Sequence, residues 1–378
     1  MNTEHILDAV HAKLAESDHP NPDAAMIADL IRHEAGVISD RDVFALLQKL
    51  RHDSTGVGIL EGLCSLEGIT DVVVNGVDQI YFDRGQGMEK AQLSFDSEEH
   101  IRALATRLAV ACGRRLDDAQ PFADGKLRRP DGSSIRVHAL LDPPSDSGPL
   151  LSLRMLRSAA TNLEQLTQRG TMPEEVSVFL SAMVAARKSF VVVGGTGSGK
   201  TTMLSALLAK ADPRERIICI EDTAELSPAH PHVVNLVSVG ANAEGRGEIT
   251  LAHLLRQALR MRPDRIVVGE IRGAEIVDLL AALNTGHEGG AGTIHANSLS
   301  EVPARMEALA TLGGMSREAL HTQLTAAVEV IIGMRRTATG RIVSQIGLVR
   351  SDPVTIEVIW DARTSGSQGL AIAERWQR

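Results

Sequence analysis

Residues 189–202 run Ser-Phe-Val-Val-Val-Gly-Gly-Thr-Gly-Ser-Gly-Lys-Thr-Thr, an apolar stretch feeding a loop spaced like a phosphate cradle. Gly194, Gly195, Gly197 and Gly199 carry no Cβ, so the loop can curl with its backbone N–H groups inward. Thr196, Ser198 and Thr202 complete the expected nucleotide-binding span. Lys200 offers a cation to β- and γ-phosphates, and Thr201 offers a hydroxyl to Mg²⁺. A helix starting at this point aims its positive end at the anion. The expected ligand is therefore a nucleoside triphosphate.

Three further clusters end or flank apolar runs that read as strands. Ile217-Ile218-Cys219-Ile220 leads to Glu221 and Asp222. Arg265-Ile266-Val267-Val268 leads to Gly269, Glu270, Ile271 and Arg272. Residues 284–295 place His287 and His295 around a glycine-rich turn. Phosphoryl transfer depends on positioning and charge neutralisation, and each cluster supplies one of those parts. Glu270 is expected to orient the attacking water, with Glu221 the second candidate, and Arg272 adds a guanidinium beside it. Thr201, Glu221, Asp222 and Glu270 form the expected Mg²⁺ set, the carboxylates acting through water. His287 and His295 are expected to reach the γ-phosphate. Taken singly, a strand-ending carboxylate can equally cap the next helix, and a lone histidine can be structural. Their occurrence together, in order, in one nucleotide-binding sheet favours chemistry.

The elements that must position these residues are legible in outline. After Pro173, helix and strand patterns alternate, which implies an α/β domain with a mostly parallel sheet covered on both faces. A tail over residues 328–360 reads as three antiparallel strands. Upstream, Val72-Val73-Val74, the Asn75-Gly76 turn signal and Gln79-Ile80-Tyr81-Phe82 read as a hairpin. A helix from Glu98 to Cys112 and strands at residues 134–141 and 150–155 complete a small α+β domain. Helical spacing marks Ile6, Leu7, Val10 and Leu14, then Met26, Ile27, Leu30 and Ile31, with a third helix over 43–50. The expected layout is a helical segment at 1–70, an α+β domain at 71–157, a hinge at 158–172 and the nucleotide domain at 173–378.

Composition narrows the class. The chain has 378 residues, 43% hydrophobic and 23% charged, which is ordinary for a soluble globular protein. No apolar run is long enough to span a bilayer, and residues 1–16 do not read as a secretory signal. Cys64, Cys112 and Cys219 are few and far apart, which suits reduced thiols in a cytoplasm and excludes a four-cysteine zinc site. A net charge of −9 argues against general nucleic-acid binding. Arg114, Arg115, Lys126, Arg128, Arg129 and Arg136 form one basic region without interleaved aromatics, so it lacks a stacking platform for single strands.

Together, residues 194–202, Ile-Glu-Asp at 220–222, Leu-Arg-Met-Arg-Pro-Asp-Arg at 259–265, Val-Gly-Glu-Ile-Arg-Gly-Ala-Glu at 268–275, and the histidine box around His287 and His295 resemble the type II/IV secretion ATPase superfamily. The spelling is most similar to the CpaF/TadA branch, which powers Tad (Flp-type) pilus assembly, and the likeness runs from about Asn75-Gly76 to Arg341. The resemblance implies a RecA-like P-loop ATPase domain, with Lys200 and Thr201 as Walker A, Glu270 as the Walker B carboxylate, and Glu221 and Asp222 as the acidic box. It implies ATP and Mg²⁺ as ligands, and a homohexamer in which Arg136 and Arg154 reach a neighbour's nucleotide. It also implies docking on an inner-membrane platform protein at the cytoplasmic face; the charge and the missing stacking aromatics leave no direct nucleic-acid partner expected. Glu288-Gly289-Gly290-Ala291-Gly292 holds more glycines than the branch usually has, and residues 1–60 carry no motif of it. Two alternatives stay open: a conjugation-type secretion ATPase, and a regulator or scaffold that binds ATP without turnover.

Overall fold

The computed structural model describes residues 9, 13, 24–35, 38–39, 42–43, 56–85, 87–129, 133–156, 162–241, 245–364 and 368–376. The expected helices over 6–14 and 43–50, and residues 158–161 of the expected hinge, lie largely outside these. The second expected helix is α1, Ala24–Ala35. The chain divides into two compact units, Met1–Arg157 and Ser158–Arg378.

In the first unit, a short helix α2 (Glu61–Cys64) precedes β1 (Asp71–Val74), β2 (Ile80–Asp83) and β3 (Met88–Lys90). Helix α3 (Glu98–Ala111) is followed by β4 (Phe122–Arg128), β5 (Ser134–Leu140) and β6 (Leu150–Leu156). The strands form an antiparallel six-stranded sheet in the order β3-β2-β1-β6-β5-β4. Period-two alternation buries Val72, Val74, Ile135, Val137, Leu151 and Leu153 on one face. That face shares its core with Ile101, Leu104, Ala105 and Leu108 of α3, whose first turn is capped by the Ser97 side chain accepting from the His100 N–H. In the other set of alternate positions, Lys126, Arg136 and Arg154 are consecutive cross-strand partners on β4, β5 and β6, and Asp71 on β1 follows them.

The second unit begins with α4 (Leu163–Gln168) and α5 (Glu174–Ala185), then alternates. In order come β7 (Phe190–Val193), α6 (Lys200–Leu208), β8 (Ile217–Glu221), β9 (Val233–Val237), α7 (Leu251–Ala258), β10 (Arg265–Ile271), α8 (Glu275–Leu283) and β11 (Ala291–Ile294). Helices α9 (Val302–Leu312) and α10 (Arg317–Ala327) precede β12 (Val330–Thr337), β13 (Gly340–Arg350) and β14 (Thr355–Asp361). All eight strands join one sheet in the order β14-β13-β12-β7-β11-β10-β8-β9. From β12 to β9 every pairing is parallel, and β13 and β14 add on antiparallel.

Both faces of the sheet are covered. Phe190 and Val192 share a core with α4, α5 and α6, and Val191 and Val193 share one with α7 to α10. Strands buried on both faces need no alternation, which is why β7 and β8 read as continuous apolar runs. Among the described residues no helix is long and apolar enough to cross a membrane.

Candidate nucleotide-binding site

β7 ends at Val193 and α6 starts at Lys200, so the chain turns through residues 194–199. Gly199 makes the last step in the left-handed region, φ 93°, where a side chain would be strained. At Gly194 space is the constraint: a Cβ there would lie 2.4 Å from the Met334 carbonyl oxygen and 2.6 Å from Ser198 Oγ. Ser198 is 2% exposed, and its hydroxyl oxygen has no hydrogen-bond partner among the described residues. A buried hydroxyl without a partner is rare, and a bound anionic oxygen would satisfy it. Lys200 Nζ donates to the carbonyls of Gly194 at 2.9 Å and Gly195 at 3.1 Å, which holds the ammonium at the loop. Burial lowers the Lys200 pKa from its ordinary value, and the Glu270 charge partly opposes that.

Two carboxylate clusters end the strands beyond β11. Glu221, at the end of β8, is 4% exposed and accepts from the N–H groups of Glu225 (3.0 Å) and Leu226 (2.9 Å). Its side chain runs against Gly269, where a Cβ would sit 2.6 Å from Glu221 Cγ, so the ends of β8 and β10 meet closely. Thr293 of β11 donates to the Gly269 carbonyl at 2.7 Å and ties a third strand to the same point. Glu270 pairs with Arg272 Nη2 at 2.5 Å, and Arg272 Nη1 lies 3.8 Å from Asp222 Oδ2. Glu270 holds the Arg272 guanidinium above its ordinary pKa, so the arginine is a fixed positive charge between two carboxylates. Glu275 accepts from the N–H groups of Arg272 (2.6 Å) and Gly273 (2.8 Å), which fixes the turn after β10. Asp222 also accepts from Ser238 Oγ at 2.9 Å.

Known proteins resemble this chain. The type II/IV secretion system protein family matches residues 53–345. A Mycobacterium tuberculosis protein, provisionally named a conjugal transfer protein, is 51% identical over 340 residues, covering 89% of this chain and 97% of its own. The conjugal transfer protein TrbB of Rhizobium radiobacter is 31% identical over 282 residues, covering 74% of this chain and 83% of its own. Among solved structures, the pilus retraction motor PilT with bound ADP superposes with a TM-score of 0.56 at 21% identity, covering 84% of this chain and 86% of its own.

The chain belongs to the type II/IV secretion system protein family. The fold of its second unit is that of RecA-like ATPases, as the PilT likeness shows. The match supports the superfamily named from the motifs and does not single out the CpaF/TadA branch.

The sheet brings most of the sequence-predicted residues of this family member to one edge. Lys200 and Thr201 follow β7, Glu221 and Asp222 close β8, and Glu270 and Arg272 lie at the end of β10. His295 directly follows Ile294, the register partner of Val193, so it emerges exposed beside the start of the loop.

His287 lies elsewhere. It precedes β11, whose first residue pairs with Phe190 at the start of β7, so it lies at the opposite edge, about 13 Å of strand away. There its Nδ1 is 3.1 Å from the Ala282 carbonyl near the end of α8, a capping contact outside the chain's own phosphate cluster. Arg136 and Arg154 belong to the first unit, as direct partners on β5 and β6. Arg154 Nε donates to Asp71 Oδ1 at 2.8 Å, and Arg136 Nη2 is 3.8 Å from Asp124 Oδ1.

Among the described residues no grouping of three or more His, Cys, Asp or Glu could cage a metal. Mg²⁺ bound with a nucleotide would be held mainly by substrate phosphates and water with one or two protein groups. The partnerless Ser198 hydroxyl and the space only glycine leaves at position 194 fit the phosphates it would accompany. Sequence reasoning missed Met334 and Arg341, which lie against the loop from the β12–β13 hairpin. Arg341 is 144 residues from the carbonyl it contacts, and no motif spans that gap.

Proposed function

We propose that this chain is a Mg²⁺-dependent ATPase motor that powers a secretion-type machine at the cytoplasmic face of a membrane. The observation that supports this reading best is the convergence of the phosphate loop, Glu221, Asp222, Glu270, Arg272 and His295 on one edge of a parallel sheet. Ligands of open α/β sheets bind at that edge. In this mechanism the loop amides, Ser198 and Lys200 hold the triphosphate, and Lys200 neutralises charge developing on the transferred group. Glu270 accepts a hydrogen bond from the attacking water, and Arg272 fixes the carboxylate's orientation. Bound Mg²⁺ would polarise the phosphoryl oxygens, held through Thr201 and, by way of water, Glu221 and Asp222. His295 would report loss of the γ-phosphate.

The motor works as a homohexamer in this reading, with Arg136 and Arg154 of one subunit completing a neighbour's site. Release of Asp71 and Asp124 frees those guanidiniums for phosphate. A hinge within 158–172, outside the α4 turns packed in the second unit, carries the motion to a membrane platform protein. The motif spelling favours Tad-type pilus assembly. A second reading, conjugation-type secretion, is favoured by the conjugal-transfer names of two relatives. Deletion of the gene separates them, because loss of surface pili at unchanged plasmid transfer supports the first and the reverse supports the second.

The test of the motor itself is ATP hydrolysis against protein concentration, with native mass in parallel, for wild type and Lys200→Ala. Turnover that rises with hexamer and vanishes in the variant is expected. Unchanged turnover in Lys200→Ala overturns the site, and concentration-independent turnover by a monomer overturns the shared-site arrangement.

A further inference from the structure

The β12–β13 hairpin forms a second wall of the phosphate loop. The Met334 carbonyl stands behind Gly194, within 2.4 Å of where a Cβ would be. Arg341 Nε donates to the Gly197 carbonyl at 2.9 Å, and Arg341 Cδ lies 3.0 Å from the Cβ position of Gly199. Arg336 Nη1 comes within 3.9 Å of the Cβ position of Gly197. The register shifts between Gly333 and Met334, just before the residues that reach the loop, and such a bulge sharpens local twist and re-aims side chains.

Arg336 and Arg341 are also direct cross-strand partners. Like charges directly opposite one another repel, so this placement gathers two positive charges beside the loop. Both residues are exposed and both border Gly197, where an anionic oxygen between them would reverse the sign of the interaction.

We propose that Arg336 and Arg341 bind the polyphosphate of the nucleotide within the same subunit, with Arg341 also holding the apex of the loop through Gly197. The inference rests on the loop being a nucleotide site, and it adds two binding residues that the motifs do not contain. The Nε–H of Arg341 shapes the loop so that its amides face the ligand. The rest of the guanidinium, with Arg336 opposite, supplies charge on the side away from Lys200. Nucleotide affinity therefore depends on the hairpin as well as the loop, and the hairpin is stabilised by the ligand.

The experiment uses the full chain and the fluorescent analogue mant-ATP, read by anisotropy at two salt concentrations, with melting curves with and without nucleotide. Arg336→Ala and Arg341→Ala are each expected to weaken binding by about ten- to a hundredfold and to flatten its salt dependence. Arg341→Lys, which keeps the charge but loses the planar fork, should fall between Arg341→Ala and wild type. Nucleotide should raise the melting point of wild type more than that of Arg336→Ala; a purely structural arginine would leave the nucleotide-induced rise unchanged. Arg350→Ala, on the same strand but paired with Glu357, should bind like wild type.

The proposal is overturned if Arg336→Ala and Arg341→Ala both bind within about twofold of wild type while Lys200→Ala does not bind. It is also overturned if Arg341→Ala alone weakens binding and only in proportion to a lower melting point, which makes Arg341 a structural staple. Should Arg341→Ala fail to fold, Arg336→Ala decides. Wild-type protein that binds no nucleotide removes the functional reading itself, a result distinct from these.

Discussion

At the edge where the parallel strands begin, Arg265 is 1% exposed and every part of its guanidinium is engaged. Nε donates to Glu215 at 2.5 Å, Nη1 to the Gly289 carbonyl at 3.1 Å and Nη2 to the Val184 carbonyl at 2.8 Å. Those bonds join α5, the turn before β11 and the start of β10. At the edge where the same strands end, Lys200 rests on two loop carbonyls, Ser198 has no partner and Glu270 leans on an exposed arginine. Both edges are rich in glycine, arginine and glutamate, and both fall within the family-like motifs. The difference is exchangeability: at the first edge Arg265 has its donors closed on protein acceptors, and the second has polar groups that a ligand can take over. A charged motif residue therefore acquires meaning from the edge it occupies, not from its spelling.

Variants can break this contrast. The largest effect is expected from Lys200→Ala, which should lower hydrolysis by about 10²–10³-fold or more while urea unfolding shifts by under about 0.5 kcal/mol. A large stability loss in that variant would mean the ligand edge also holds the fold together. Arg265→Ala should do the opposite and cost about 3–5 kcal/mol of stability, because buried Glu215 loses its shorter ion pair and keeps only Arg187 at 3.4 Å, and two carbonyls lose their donor. Its turnover per folded molecule should stay near wild type, and a selective loss of turnover at full stability would erase the distinction between edges.

The two histidines sharpen the contrast. His295→Ala should slow hydrolysis about tenfold, the scale of one hydrogen bond to a charged group, whereas His287→Ala should change it by less than about twofold. Equal effects would show that His287 reaches a phosphate despite its place before β11. The smallest expected effect is with pH. Burial lowers the Lys200 pKa, and the ammonium is charged only below that pKa, so its charge is lost at lower pH than on an exposed lysine. Mant-ATP affinity should weaken about three- to tenfold between about pH 8 and about pH 10. A flat profile would show that bound phosphate fully restores the charge.

The sequence signal was strongest where burial is complete. β7, β8 and the hydrophobic part of β10 are apolar runs because both faces are covered, and the glycines and carboxylates after them mark the ends. β4 escaped notice because Phe122–Arg128 buries only Ala123 and Leu127 and carries a glycine mid-strand. β3 is exposed along its length and has no apolar pattern to detect. His287 and His295 look like one box because eight positions separate them, yet β11 lies between and carries the chain across the sheet. The Arg265–Glu215 pair and the Arg341–Gly197 contact join residues 50 and 144 positions apart, and only the folded topology brings them together. Motif reading recovered what is contiguous or ends a strand, and lost what is assembled across strands.

The Met334 carbonyl behind Gly194 has a consequence for how this protein can evolve. Main-chain atoms are the same whatever residue the codon specifies, so substitutions in β12 can change the side chains around the cradle but leave that backing atom in place. Only an insertion or deletion that slides the strand would move it. Drift by point mutation is then steered toward the rim of the site, while its rear surface is inherited unchanged. Laboratory libraries aimed at altering nucleotide preference should accordingly vary the rim positions and leave the length of β12 alone.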